Sequence, residues 1–236
     1  MIRRVLTVCA LALILAGCGD PDRVDARKYD SFWLWAGVAP KPVLKDARTI
    51  YLLDGEVRAR EQGRYVALRP GVPRLSKPEV WLVVRTDTLD WSPSADGILR
   101  HHLDSWGSSN SRLQGIQIDF DARTKHLGDY VTFLEAVRRD LPPRYKLSIT
   151  GLMDWSANGD PQALLKLKGI VDEVVIQTYQ GRSTIWGYER YFERMRVFPI
   201  PFKVGLVEHG RWIEPNGLRT DPNFKGYVIF LLPRRA

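Results

Sequence analysis

The residues best placed to do chemistry in this chain are Asp119 and Asp121, which close the run Leu113-Gln114-Gly115-Ile116-Gln117-Ile118-Asp119-Phe120-Asp121-Ala122-Arg123. Successive side chains of a β-strand point to opposite faces, so Gln117, Asp119 and Asp121 share one face and Ile116, Ile118 and Phe120 the other. The two carboxylates then stand ~7 Å apart along the strand. Like charges at that spacing raise each other's pKa, which suits carboxyl groups to general acid and base work. Three readings stay open: catalysis, ligand binding without turnover, and a structural role with Asp121 capping a turn and Asp119 paired to an arginine.

Such a strand needs a frame. Eight segments read as strands: 31–36, 49–53, 80–85, 115–120, 146–150, 173–178, 202–206 and 226–231. Val80-Trp81-Leu82-Val83-Val84 and Val174-Val175-Ile176 are continuous apolar runs, the mark of parallel strands buried on both faces. Helical spacing occupies 93–106, 127–141, 161–170 and 187–195, with Asp160-Pro161 as a start signal and Pro142-Pro143 as a stop. The crossovers after the first, second and seventh strands look short or irregular, and 63–78 has no helical period. Strands alternating with helices predict an α/β fold: a TIM (β/α)8-like barrel, slightly small, with some short or missing helices. A doubly wound open sheet is the alternative.

In a barrel, function gathers at the C-terminal ends of the strands. Those ends carry carboxylates, amides and aromatic rings, the set that a sugar's C–H faces and hydroxyls require. The expected catalytic residues are Asp121 as general acid, Asp119 to orient substrate or stabilise developing charge, and Asp154 as base or nucleophile, with Asp54 or Glu208 behind it. Gln117, Gln177, Tyr179 and Glu208 are expected to bind substrate, with Trp35 and Trp155 as stacking platforms. Trp91 is a further platform candidate, whereas Trp33, Trp81 and Trp106 read as core. His101 and His102 are adjacent on a helix and read as solvated or packing side chains. Neither a metal nor a cofactor is expected: Asp119 and Asp121 lack an evident third hard ligand, and no P-loop, dinucleotide fingerprint or G-x-S-x-G elbow occurs.

The first 17 residues read as a signal peptide, with Arg3-Arg4 followed by an apolar run from Val5 to Ala16, too short to span a membrane. Leu15-Ala16-Gly17-Cys18 resembles the bacterial lipobox, which implies a lipidated Cys18 and a membrane anchor. With Cys9 in the discarded segment, no intramolecular disulfide is possible. Residues 18–28 then read as a lipidated tether and 29–236 as one domain. Under the lipoprotein sorting rule, Gly19 in place of Asp implies attachment to the outer membrane facing the periplasm. Removing residues 1–17 takes Arg3 and Arg4 from the 35 Lys and Arg, leaving 33 basic against 27 acidic residues, a net +6. That modest balance suits a soluble basic surface or an anionic envelope partner, and with no long basic run it argues against nucleic acid. The remaining chain, about 220 residues, fits one domain and is expected to be a monomer.

Two resemblances sharpen the reading. Gly115-Ile116-Gln117-Ile118-Asp119-Phe120-Asp121 and Gln177-Thr178-Tyr179-Gln180 resemble the D-G-x-D-x-D-x-E and M-x-Y-D motifs of family-18 chitinases. The resemblance implies that Asp121 protonates the leaving oxygen and that Asp119 and Tyr179 contact a substrate acetamido group. Gln114 and Gln117 stand where that family keeps acids, Asp121 where it keeps Glu, and Gln180 where it keeps Asp. Nearly the whole mature chain, through Phe32-Trp33-Leu34-Trp35, 115–122, 147–155 and 172–181, is similar to the bacterial lipoprotein family called domain of unknown function 3142. That family implies the barrel and leaves the chemistry open. A periplasm-facing lipoprotein acting on a cell-envelope or imported glycan is the expectation, and a non-catalytic glycan-binding lipoprotein is its rival.

Overall fold

The computed structural model describes residues 20–109, 112–122, 127–195 and 198–233. The expectations for the signal peptide, Cys9, Cys18 and Gly19 lie outside the described residues. In chain order the strands are β1 (Ser31–Leu34), β2 (Thr49–Arg58), β3 (Arg64–Ala67), β4 (Glu79–Thr86), β5 (Arg112–Asp119), β6 (Lys146–Leu152), β7 (Glu173–Gln177), β8 (Tyr179–Gln180), β9 (Ser183–Thr184), β10 (Phe202–Val207) and β11 (Phe224–Leu231). Eight of them form a closed barrel in the order β1-β2-β4-β5-β6-β7-β10-β11, with β11 pairing back to β1 and every pairing parallel. The fold is a TIM-like α/β barrel, and closure excludes the open sheet.

The helices are α1 (Pro93–Ser108), α2 (Leu127–Asp140), α3 (Trp155–Asn158), α4 (Pro161–Lys168) and α5 (Glu189–Met195). Asp160 caps α4, its Oδ1 accepting the Gln162 N–H at 2.9 Å. As the irregular crossovers predict, no α-helix follows β1, β2 or β10; short 3-10 turns stand in their place. The segment 63–78, without helical period, instead supplies β3, which returns antiparallel along the C-terminal half of β2.

Residues 20–28, expected as a free tether, are docked on the barrel. Val24 is buried, donates its N–H to Gly210 at 2.8 Å, and accepts the His209 N–H at 3.0 Å.

Two apolar layers hold the barrel. Outward-facing Ile116, Ile118, Val80, Leu82 and their like pack beneath the helices and loops. Inside, Trp33 stacks on Phe230 at 5.2 Å and Tyr51 on Trp81 at 5.7 Å, with Leu53, Val83 and Val175 filling between. A polar chain crosses this interior. Trp33 Nε1 donates to Gln117 Oε1 (2.8 Å), Gln117 Nε2 to Ser148 Oγ (2.8 Å) and Ser148 Oγ to Glu173 Oε1 (3.1 Å). Tyr51 Oη donates to the same carboxylate at 2.5 Å, and Lys203 Nζ pairs with its other oxygen at 3.1 Å.

Gly115 sits where β5 and β6 approach most closely: a Cβ there would lie 1.9 Å from the Lys146 carbonyl oxygen. A Cβ at Gly97, exposed midway along α1, meets nothing within 4 Å. Urea unfolding should therefore separate two Gly→Ala changes of opposite sign. Gly115→Ala is expected to lose at least about 2 kcal/mol through strand displacement, and Gly97→Ala to gain about 0.5–1 kcal/mol of helix propensity.

Candidate functional site

β5 carries Asp119 inward as its last residue, and there the strand stops. Ala122 N–H bonds back to the Phe120 carbonyl at 2.8 Å, so the alternation that would carry Asp121 onto the same wall is broken by a tight turn. Asp119 and Asp121 still line one cleft, of about 660 Å³, at the C-terminal mouth of the barrel. Trp35, Arg85, Phe120, Gln177 and Tyr179 are among its other walls.

The two carboxyls stand in different surroundings. Asp119 is only 6% exposed, and its Oδ1 accepts hydrogen bonds from Thr150 Oγ1 at 2.7 Å and Gln177 Nε2 at 3.3 Å. Burial pushes its pKa up to about 6, and the nearby Asp121 charge pushes the same way; the Thr150 hydrogen bond, the Arg85 cation and Gln177 oppose it. Asp121 is exposed on the lip. The carboxyl with the raised pKa is therefore Asp119 rather than the expected general acid Asp121, and burial, more than the like charge, is the main cause.

Around them the cleft is amphipathic. Tyr179 packs on Phe230 at 4.9 Å, and burial pushes its phenol pKa well above the ordinary value. The Arg85 guanidinium lies 5.7 Å from the centre of the Trp35 ring, a cation–π contact beside Asp119. The sequence reading did not select Arg85. Its signal was its position at the end of the third predicted strand, two residues past the buried Val83 and in register with Asp119.

Several predicted residues lie elsewhere. Gln117 is fully buried one layer below, with Oε1 taken by Trp33 and Nε2 given to Ser148, so it is not open to a ligand. Trp155 is also fully buried. Its Nε1 donates to the Ala122 carbonyl at 2.9 Å, holding the turn that follows Asp121 rather than offering a platform. Asp154 is half-buried at the start of α3 and is not a wall of the cleft; burial raises its pKa.

Asp54 falls on a β-bulge of β2, where pairing with β4 shifts register between Leu53 and Gly55. Alternation with the inward Tyr51 and Leu53 turns Asp54 to the outer face, away from the cleft, where it accepts from the Tyr65 hydroxyl and lies 2.5 Å from His102 Nδ1. His102 is thus a hydrogen-bond partner of Asp54, in addition to packing edge-on against Tyr65. Glu208 is buried past the end of β10, paired with Lys41. Trp91 packs against Phe133 between α1 and α2. Trp33, Trp81 and Trp106 are buried, as expected of core. Among the described residues no group of three or more His, Cys, Asp or Glu side chains could hold a metal ion.

A parallel eight-stranded barrel with a polar cleft at its C-terminal mouth places the chain among TIM-like barrel proteins. Residues 78–187 match the family described as Domain of unknown function (DUF3142), the family of the sequence resemblance, over a shorter stretch than expected that leaves Phe32–Trp35 outside. That stretch runs from β4 past β9 and carries Arg85, Asp119, Asp121, Gln177 and Tyr179. No curated protein matches the chain in sequence. Among solved structures, two are similar in fold at TM-scores just above 0.5 and a third matches more loosely. The tamarind chitinase-like lectin shares 14% identity at a TM-score of 0.52, covering 86% of this chain and 94% of its own. The chitinase domain of the spore coat protein CotE from Clostridium difficile shares 12% at 0.51, covering 82% and 68%. The Bacillus cereus spore cortex-lytic enzyme SleL shares 17% at 0.47, covering 75% of this chain, which spans 50% of that one.

The buried Asp119 has a measurable signature. Because its folded pKa lies above the unfolded value, the native state holds the proton more tightly, and stability is lost as pH rises from about 4 to about 6. Asp119→Asn keeps an oxygen for Thr150 and Gln177 and removes the charge. Chemical denaturation should find this variant about 1–3 kcal/mol more stable than wild type at pH 8, with the gap closing below pH 4. A variant less stable than wild type at pH 8 would contradict the burial argument.

Proposed function

We propose that the cleft at the mouth of the barrel takes a glycan and hydrolyses it. The observation that carries this reading is Asp119, a carboxyl sunk in the cleft wall with hydroxyl and amide donors on one oxygen, beside Tyr179 and below the exposed Asp121. In this reading Asp121 delivers a proton to the glycosidic oxygen. Asp119, with Gln177 and Tyr179, holds a substrate polar group against the floor, an acetamido group by the resemblance to family-18 chitinases. Trp35 stacks on a sugar ring. Asp154, Asp54 and Glu208 are not walls of the cleft, which leaves no base or nucleophile among the candidates first considered. Hydrolysis assisted by the substrate's own acetamido oxygen suits such a site, because it needs no second carboxylate as nucleophile.

The rival reading, glycan binding without turnover, is favoured by one observation: Asp121 is exposed, whereas a general acid working near neutral pH usually sits in a dry pocket. The experiment screens glycans, including N-acetylglucosamine oligomers, for release of reducing ends. Asp121→Asn is expected to lower turnover at least about 100-fold with little change in binding. Binding without turnover by wild type would instead establish the rival.

The same proposal includes anchoring through a lipid on Cys18 and a site facing the periplasm from the outer membrane, supported by the lipobox resemblance and by Gly19. In bacteria labelled with palmitate, wild type should carry label and sediment with membranes. Cys18→Ser should do neither; a labelled Cys18→Ser would refute the assignment.

A further inference from the structure

The mouth of the barrel holds a second cavity, of about 410 Å³. The β8–β9 hairpin separates it from the main cleft: Gly181 lines the cleft and the adjacent Arg182 lines the cavity. Its other charged walls come from three places. Arg23 belongs to the docked segment before β1, Lys41 to the loop after β1, and Glu208 and His209 to the turn after β10.

The charges in this cavity do not balance. Glu208 is buried, and its Oε2 accepts both the Lys41 ammonium and the Leu232 N–H, the latter at 2.8 Å. One carboxylate is thus matched to one cation. Arg182 has no carboxylate partner among the described residues, only the Pro233 carbonyl at 3.5 Å. Arg23 has no side-chain partner among them at all. Several surface arginines do find one: Arg27, Arg48, Arg211 and Arg219 are each paired with an Asp or Glu, whereas Arg74, Arg190 and Arg194 are not among the described residues. The contrast is sharpest beside Arg23, where the bridged residue Arg211 takes Asp22.

Backbone strain marks the same place. His209 has φ +66°, a left-handed conformation that a non-glycine residue adopts at a cost. Two hydrogen bonds hold it there, from the His209 N–H to Val24 and from the Gly210 N–H to Val207. The turn places the imidazole in the cavity wall, 3.9 Å from Glu208 Oε1.

We infer that this second cavity is an anion subsite, in which Arg23 and Arg182 receive a carboxylate or phosphate substituent carried by the glycan in the main cleft. A guanidinium presents paired N–H donors that match the oxygens of either group, and charge-assisted bonds of this kind are among the stronger ones available. The inference rests on the glycan reading of the cleft and narrows it to acidic glycans. Asp119 and Asp121 stay on the other side of the hairpin, away from the anion.

The test uses the full chain and a matched pair of probes: a tetrasaccharide of alternating N-acetylglucosamine and glucuronate, and its carboxyl-reduced form. Wild type should bind the acidic probe at least about tenfold more tightly, a preference that weakens with added salt. In the double variant Arg23→Gln, Arg182→Gln that preference should vanish while affinity for the neutral probe is unchanged. Equal binding of both probes by wild type overturns the carboxylate arm and leaves the glycan reading standing. Binding of neither probe overturns the carboxylate arm, and the reducing-end screen then decides the glycan reading separately. Inorganic phosphate, titrated while following the His209 ring signals by NMR, examines the phosphate arm. Saturable shifts in wild type that are lost in the double variant support an anion site, and their absence together with equal probe binding rejects it.

Discussion

The barrel depends on a single buried polar chain, Trp33–Gln117–Ser148–Glu173, closed by Tyr51 and Lys203. These residues lie on β1, β5, β6, β7, β2 and β10, so hydrogen bonds inside the barrel tie together six of its eight strands. The constraint is exacting, because each member is buried or nearly so and one left without a partner costs about 1–3 kcal/mol. A strand that slipped by one residue would turn Gln117 or Glu173 outward and orphan its neighbours. This specificity from within matters in a barrel that lacks α-helices after β1, β2 and β10. There the outer layer is built from 3-10 turns, loops and the docked segment around Val24, and less of the register can be set by helix packing.

The same chain determines what the cleft can be. Gln117 and Asp119 are both inward on β5, two residues and thus about 6.6 Å apart along the strand. The lower one is sealed by Trp33 and Ser148; the upper one opens to the cleft. Trp33, stacked on Phe230, and Phe230 in turn against Tyr179 make a dry floor. That floor desolvates Asp119 and accounts for its raised pKa. Arg85 works against this trend without forming an ion pair, since its guanidinium rests over Trp35. A site thus arises where the interior changes from hydrogen bonds satisfied within the protein to donors and acceptors available to a ligand.

Much of this was legible in the sequence. Apolar runs or strict alternation mark all eight barrel strands, and short or irregular connections mark the crossovers without helices. Depth was not legible. Gln117 and Asp119 share a face and a polar character, and only the assembled barrel shows that one is core and the other cleft. The side taken by Asp54 was also hidden, because Ile50, Tyr51, Leu52 and Leu53 are apolar on both faces of β2 and do not mark which one is inward. Trp155 follows a strand end, where aromatic rings often meet ligands, yet the Ala122 carbonyl claims its N–H. The short β3 and β8–β9 hairpins escaped notice because runs of two to four residues among glycines and prolines carry too little periodicity. Arg182, which the second of these hairpins places beside the cleft, was missed with it.

The docked segment adds a geometric consequence to the proposed anchor. Val24 is pinned to the turn after β10, at the mouth of the barrel, by backbone bonds to His209 and Gly210. A lipid on Cys18 would lie six residues away, and six residues span at most about 20 Å even when fully extended. The mouth would then be held close to the membrane surface rather than free to sweep the periplasm. Arg23 and Arg182 would sit on that same side, where anionic headgroups and envelope polysaccharides raise the local concentration of acidic ligands. The proposed anchor and the proposed basic subsite would then select in the same direction, towards acidic glycans at the membrane surface. If the anchor is present, a docked segment would limit how far the mouth can move from the membrane more tightly than a free linker of the whole segment's length.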